Sequence, residues 1–125
     1  MDKEQTMNGR AVAMAAALII VSASGSLAAN DRGFNGTASY YSADYHGAVA
    51  SGAKYDPEKF TAAHKTLPFG TRLRVTDPKT GNSVVVIVND RGPFTKGLML
   101  DLSLAAAKKL HMLKRGILKV RAEIQ

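Results

Sequence analysis

Five consecutive branched aliphatic residues, Val84-Val85-Val86-Ile87-Val88, limit what this chain can fold into more than any other feature. Side chains branched at Cβ lose rotamers in a helix and fit a pleated surface well, so the run reads as a β-strand. Because it is apolar without interruption, residues 83–89 are expected to be buried on both faces. Asn89-Asp90-Arg91-Gly92-Pro93-Phe94 follows, where glycine and proline stop the strand and leave a carboxylate at its edge. Such edges are where a rigid scaffold presents reactive groups.

Most of the remaining pattern is also β. Gly36-Thr37-Ala38-Ser39-Tyr40-Tyr41 is rich in aromatic and β-branched types, and residues 60–64 form a second, shorter candidate. In residues 71–76, Arg72 and Arg74 alternate with Leu73 and Val75, the mark of a strand with one wet face. Residues 77–82 read as a hairpin connection, residues 98–102 as a short strand, and residues 117–124 as a last, alternating strand. One helix is expected. Ser103 is its N-cap, Leu104-Ala105-Ala106-Ala107-Lys108-Lys109-Leu110 are good helix formers, and Lys114, Arg115 and Gly116 suit its far end. His111 then falls in its last turn. Many short strands with one small helix point to a closed, mainly β barrel.

Residues 1–29 stand outside this pattern. Lys3 and Arg10 are basic, residues 11–21 are apolar, and Ser26-Leu27-Ala28 fits a cleavage site for a secretory signal peptide. An uncleaved N-terminal anchor is the alternative. Residues 30–125 remain as one domain of roughly 95 residues. The chain has no cysteine, hence no lipid attachment through one and no disulfide framework. A periplasmic or secreted protein without stable membrane insertion after cleavage is expected. Lys and Arg total 17 against 10 Asp and Glu, and the leader carries both signs equally, so the domain keeps the net charge of +7. Such a field speeds encounters with anionic partners, and acidic wall polymers are the exported candidates. Nucleic acid is not expected, because no basic helix face interleaved with aromatics occurs.

With only three histidines and no cysteine, the candidate chemistry is narrow. Asp90, at the mouth of an apolar barrel, is expected to be partly desolvated, which raises a carboxyl pKa and suits a general acid. A turn aspartate capping amides or pairing with Arg91 fits the spacing too. His64, ending Thr61-Ala62-Ala63-His64, reads as a partner for Asp90 or substrate hydroxyls, or else as a hydrogen-bonded strand-end residue. Tyr40, Tyr41 and Tyr45 serve equally as a sugar-binding groove or as alternating core and surface positions. Asp101 reads as a structural group bonding nearby amides, and His46 as a loop residue. The scattered histidines offer no metal-ligand spacing, and no cofactor is implied. No serine has a nucleophile-elbow context.

Taken together, Gly36 to Tyr41, Ala50-Ser51-Gly52, Thr61 to Thr71, Val88 to Phe94 and Asp101-Leu102-Ser103 resemble the rare lipoprotein A (RlpA) family of endolytic peptidoglycan transglycosylases. The resemblance implies a six-stranded double-psi β-barrel with one short α-helix, and a lytic transglycosylase (a lyase) acting on peptidoglycan glycan strands stripped of peptides. It implies that Asp90 and His64 occupy catalytic positions. Asp90 would first protonate the glycosidic oxygen and then take the proton of the muramic acid C6 hydroxyl as that oxygen attacks C1. The product is a 1,6-anhydro end. Tyr40, Tyr41, Tyr45, Arg91 and Lys65 are the substrate-binding candidates, and a monomer is expected. After Ser51-Gly52 the family usually has an acidic residue where this chain has Ala53. No glycan-binding repeat domain is expected after the barrel, so septal localisation is not implied. The competing readings are an expansin-like, non-catalytic barrel that loosens wall glycan, and a hydrolase using Asp44, Asp56 or Asp101 as second carboxylate.

Overall fold

A computed structural model describes residues 32–125; the signal-peptide reading of residues 1–29 lies outside the described residues. In chain order the elements are β1 (Gly33–Tyr40), β2 (Thr61–Ala63), β3 (Arg72–Thr76), β4 (Ser83–Asp90), β5 (Leu100–Leu102), α1 (Leu104–Lys109) and β6 (Leu118–Ile124). The six strands close into a barrel in the order β1-β5-β2-β4-β3-β6. β1 with β5 and β2 with β4 are parallel, and the other four pairings are antiparallel. The mainly β barrel with one short helix is thus the architecture the sequence called for.

Inside the barrel, Leu73, Val75, Val84, Val86, Val88, Leu100, Leu102, Val120 and Ala122 form one apolar core. Along β4 burial alternates: Val84, Val86 and Val88 are buried, while Val85 and Ile87 are only half-buried. This corrects the expectation of a strand buried on both faces. A closed sheet has a single interior, so a continuous aliphatic run still sends every second side chain outward.

The helix begins as the sequence indicates. Ser103 Oγ accepts the Ala106 amide at 3.3 Å, and it also accepts the Thr61 amide at 3.2 Å, tying the helix start to β2. It stops early, however: Leu110 is the C-cap, and His111 lies beyond the helix in the left-handed region at φ 57°. Leu110 and Met112 are both buried. Residues two apart on a helix point to nearly opposite sides, so burying both requires the helix to end between them.

One irregularity sets up the barrel end. β2 pairs with β4 as Ala62 opposite Val88 and then Ala63 opposite Asp90, which leaves Asn89 as an extra residue in β4. Such a bulge bends a strand and re-aims its last side chain. At this point Asn89 Oδ1 is buried without a hydrogen-bond partner. The register then continues from Ala63 to Asp101 and from Asp101 to Ser39, so Asp90, Ala63, Asp101 and Ser39 form a row across β4, β2, β5 and β1.

Candidate active site

The row delivers Asp90 to a ring of donors. Its Oδ1 accepts the backbone amides of Ala50 at 2.7 Å and Arg91 at 2.9 Å, and its Oδ2 accepts the Tyr41 hydroxyl. Sequence brings none of these except Arg91 close. Tyr41 is fixed by its amide on the Leu102 carbonyl at 3.0 Å, and the 41–55 loop is held against β4 by the Ser51 amide on the Asn89 carbonyl at 3.1 Å. The Tyr41 ring stacks on Tyr55 at 4.5 Å between centroids, with Tyr45 5.5 Å from each. Val49 completes a second, small core with Tyr41 and Tyr55. Burial, reinforced by the bond to Asp90, drives the Tyr41 phenol far above its ordinary pKa. It therefore remains a hydrogen-bond donor at any pH the protein meets.

Asp101 belongs to the same site. The Ser39 hydroxyl donates to its Oδ1 at 3.1 Å. Burial pushes the Asp101 carboxyl above its usual range, the Ser39 bond opposes that, and the charge of Asp90 adds to it. The expected structural role, bonding nearby amides, gives way to that of a neighbour of Asp90. Asp44 and Asp56 are turn residues: the Ser42 hydroxyl oxygen accepts the Asp44 amide, and Asp56 Oδ1 accepts the Glu58 amide.

His64 reaches Asp90 through the main chain, its amide donating to the Asp90 carbonyl at 3.2 Å. Its Nδ1 accepts the amides of Thr66 at 3.1 Å and Leu67 at 3.0 Å. A neutral ring with Nδ1 as acceptor carries its proton on Nε2. Burial first, then the charges of Arg91 and Lys65, hold its pKa below the ordinary 6.5. The ring is thus a neutral donor. Phe34 packs edge-on against it at 5.7 Å.

The other substrate-binding candidates separate. Tyr45 joins the aromatic group, its hydroxyl donating to the Ala48 carbonyl at 2.6 Å. Tyr40 does not join it. Neighbours on a strand face opposite ways, and Tyr40 packs on the main core with its hydroxyl on the Leu113 carbonyl at 2.7 Å. Arg91 donates from Nη1 to the carbonyls of His64 at 3.2 Å and Leu67 at 2.8 Å, with its guanidinium 4.1 Å from the Phe69 ring centre. It therefore clamps the turn that carries His64. Lys65 Nζ donates to the Leu98 carbonyl at 3.0 Å. Sequence reasoning missed Tyr55, whose pairing with Tyr41 spans a loop, and Ser39, which only the parallel register of β1 and β5 reveals.

A cavity of about 440 Å³ opens beside the aromatic group, lined by Tyr45, His46, Lys54 and Tyr55 among others. Another of about 430 Å³, lined by Thr37, Lys79, Arg115 and Lys119, lies against the β3–β4 hairpin, at the end of β4 away from Asp90. Among the described residues no group of three or more His, Cys, Asp or Glu is placed to hold a metal ion.

A closed six-stranded barrel of this mixed order, with an acidic pair at one end, is a double-psi β-barrel. Residues 33–122 match the family model described as lytic transglycolase, and the chain belongs to that family. It is 50% identical over 94 residues to the probable endolytic peptidoglycan transglycosylase RlpA of Nostoc sp., covering 73% of this chain and 25% of that protein. It is 52% identical over 89 residues to the endolytic peptidoglycan transglycosylase RlpA of Pseudomonas aeruginosa, covering 70% and 26%. The chain thus spans about a quarter of the length of these relatives. Among solved structures, the Streptomyces papain inhibitor matches with a TM-score of 0.61 at 25% identity, over 74% of this chain and 93% of that one. A Clavibacter michiganensis expansin matches in fold with a TM-score of 0.59 at 24% identity, over 74% and 50%.

Proposed function

We propose that this chain is an endolytic lytic transglycosylase that cuts peptidoglycan glycan strands between MurNAc and GlcNAc, acting on strands free of peptides. The observation that carries the reading is the placement of Asp90, held by three donors at the open end of the barrel with His64 and Asp101 beside it. Relatives sharing about half their residues with this chain bear the name of that activity.

Protonated Asp90 donates to the glycosidic oxygen as the bond to C1 breaks. The muramic acid C6 hydroxyl attacks C1, and Asp90, now a carboxylate, takes the hydroxyl proton. The products are a 1,6-anhydro end and a free hydroxyl on the leaving sugar, with no water consumed. Tyr41 and the Ala50 and Arg91 amides hold the carboxylate in place through both transfers. Burial and the charge that Asp90 acquires hold the Asp101 carboxyl above its usual range, which opposes two negative charges at one site once Asp90 has given up its proton. His64 donates from Nε2 to a substrate oxygen, and the net positive charge draws in the acidic polymer. The work is done outside the cytoplasm, in the periplasm or beyond, by a monomer that needs no metal or cofactor.

One feature favours a second reading. Ala53 stands in the loop whose Ala50 amide touches Asp90, at a position where the family resemblance implies an acid, and that suits a barrel which binds glycan without cutting it. Incubation with peptide-free sacculi followed by mass spectrometry separates the cases. Anhydro ends are expected from the unmodified protein and none from Asp90→Asn. Reducing ends would identify a hydrolase using the Asp90–Asp101 pair, and strand binding without any release would identify the expansin-like function.

A further inference from the structure

We infer that Phe94, on the turn that follows Asp90, and Phe69, held against that turn by Arg91, form a second sugar-binding surface that takes the apolar face of a pyranose ring of the glycan strand. The inference rests on the reading of the site as one that handles such strands. Phe94 is 81% exposed and Phe69 is 43% exposed. A phenyl ring left this far in water contributes little to folding, so stability does not account for Phe94. Its place in the chain does carry a consequence. It lies four residues after Asp90, and its ring covers the backbone of Gly92, where an added Cβ would sit 3.4 Å from it. Gly92 is at φ +123°, a conformation open to glycine, so the turn and the ring above it are set together.

Phe69 is held by the same turn. The Arg91 guanidinium lies 4.1 Å from its ring centre, and that guanidinium is pinned by the carbonyls of His64 and Leu67. A fixed planar cation backing one side of a ring leaves the other side free to take a ligand at little ordering cost. Both phenyl groups lack a hydroxyl, unlike Tyr41, Tyr45 and Tyr55, so they offer only a flat hydrocarbon face. The C–H-rich face of a sugar ring is the substrate surface that matches.

The occupant is argued from continuity with Asp90. The tyrosine group adjoins Asp90 through its carboxylate, and the phenylalanine pair adjoins it through the backbone of residues 91–94. A strand crossing the acid is then gripped by rings on three separate loops. Contact with several sugars is what cleavage within a chain requires, as opposed to trimming from an end.

The test uses the full chain. Affinity for peptide-free glycan strands is measured in an Asp90→Asn background, where no cutting interferes, with and without Phe94→Ala and Phe94→Trp. Phe94→Ala should weaken binding about tenfold and Phe94→Trp should restore it. In the otherwise unmodified enzyme Phe94→Ala should raise KM by a similar factor with kcat little changed. Thermal melting of Phe94→Ala should match the parent, because the ring is exposed. Equal strand affinity with and without the ring would overturn the proposal while leaving the transglycosylase reading intact. So would a Phe94-dependent dimer that forms without glycan. Conversely, Phe94-dependent binding with no anhydro product from the unmodified protein would uphold the sugar surface and remove the lytic activity.

Discussion

At the scale of single residues, the site works by fixing which group holds which proton. His64 is the clearest case, since two amides occupy Nδ1 and leave the proton on Nε2. Nitrogen NMR should show the Nε2–H tautomer, and a titration midpoint below 6.5. The linkage has a definite sign. As pH falls below the ordinary value the unfolded ring takes a proton before the folded one does, so stability is lost on the acid side of that window. His64→Ala should remove that loss and lower the cutting rate about 10²-fold, as deletion of one aimed donor does elsewhere. A midpoint above 6.5 would show that the ring works as a cation instead. Asp90 and His64 were readable as candidates because both stand at the meeting of strand and turn. Asp101 was not. Its neighbours in sequence are apolar and a helix cap, and only strand pairing brings it to the site.

Among the elements, the link between helix and barrel depends on one hydroxyl. Ser103 is fully buried, its Oγ accepts two amides, and its own amide donates to the Thr61 carbonyl at 2.9 Å. Ser103→Ala would leave the Thr61 and Ala106 amides without that partner. The expected cost is about 2 kcal/mol, or a melting temperature lower by about 10 °C, read by calorimetry. A change of a degree or two would mean that water replaces the hydroxyl. The strands themselves were legible from alternation and β-branching, including β3 with its wet arginine face. What sequence could not supply was the neighbour of each strand. The sheet order departs from chain order, so the Tyr41–Asp90 and Ser39–Asp101 contacts join residues 49 and 62 positions apart. The helix end was misplaced for a related reason, because the burial of Met112 beneath the barrel overrides a run of good helix formers.

For the molecule as a whole, charge and shape divide the work. The core is enclosed by the barrel, leaving the surface free to carry the excess of basic residues. Association with wall glycan that retains its carboxylates should slow roughly tenfold as salt rises from about 0.05 M to about 0.5 M. Binding of a neutral chitin oligomer should barely change over the same range; stopped-flow or surface-binding kinetics would read both. A similar salt response for both ligands would show that the field plays no part in capture. Composition announced this polarity before any fold was known, whereas the aromatic surface on the 91–94 turn emerges only from exposure and packing.

The extra residue in β4 carries a last implication. It acts as a phase shifter: with Asn89 left out of the β2–β4 ladder, the acid occupies the level across which Ala63, Asp101 and Ser39 line up. Shortening the chain by one position there would realign the strand tip and rotate the carboxylate out of its cage, however intact the barrel stayed. The spacing between the aliphatic run and the glycine–proline turn should therefore tolerate exchanges of side chain far better than any gain or loss of length.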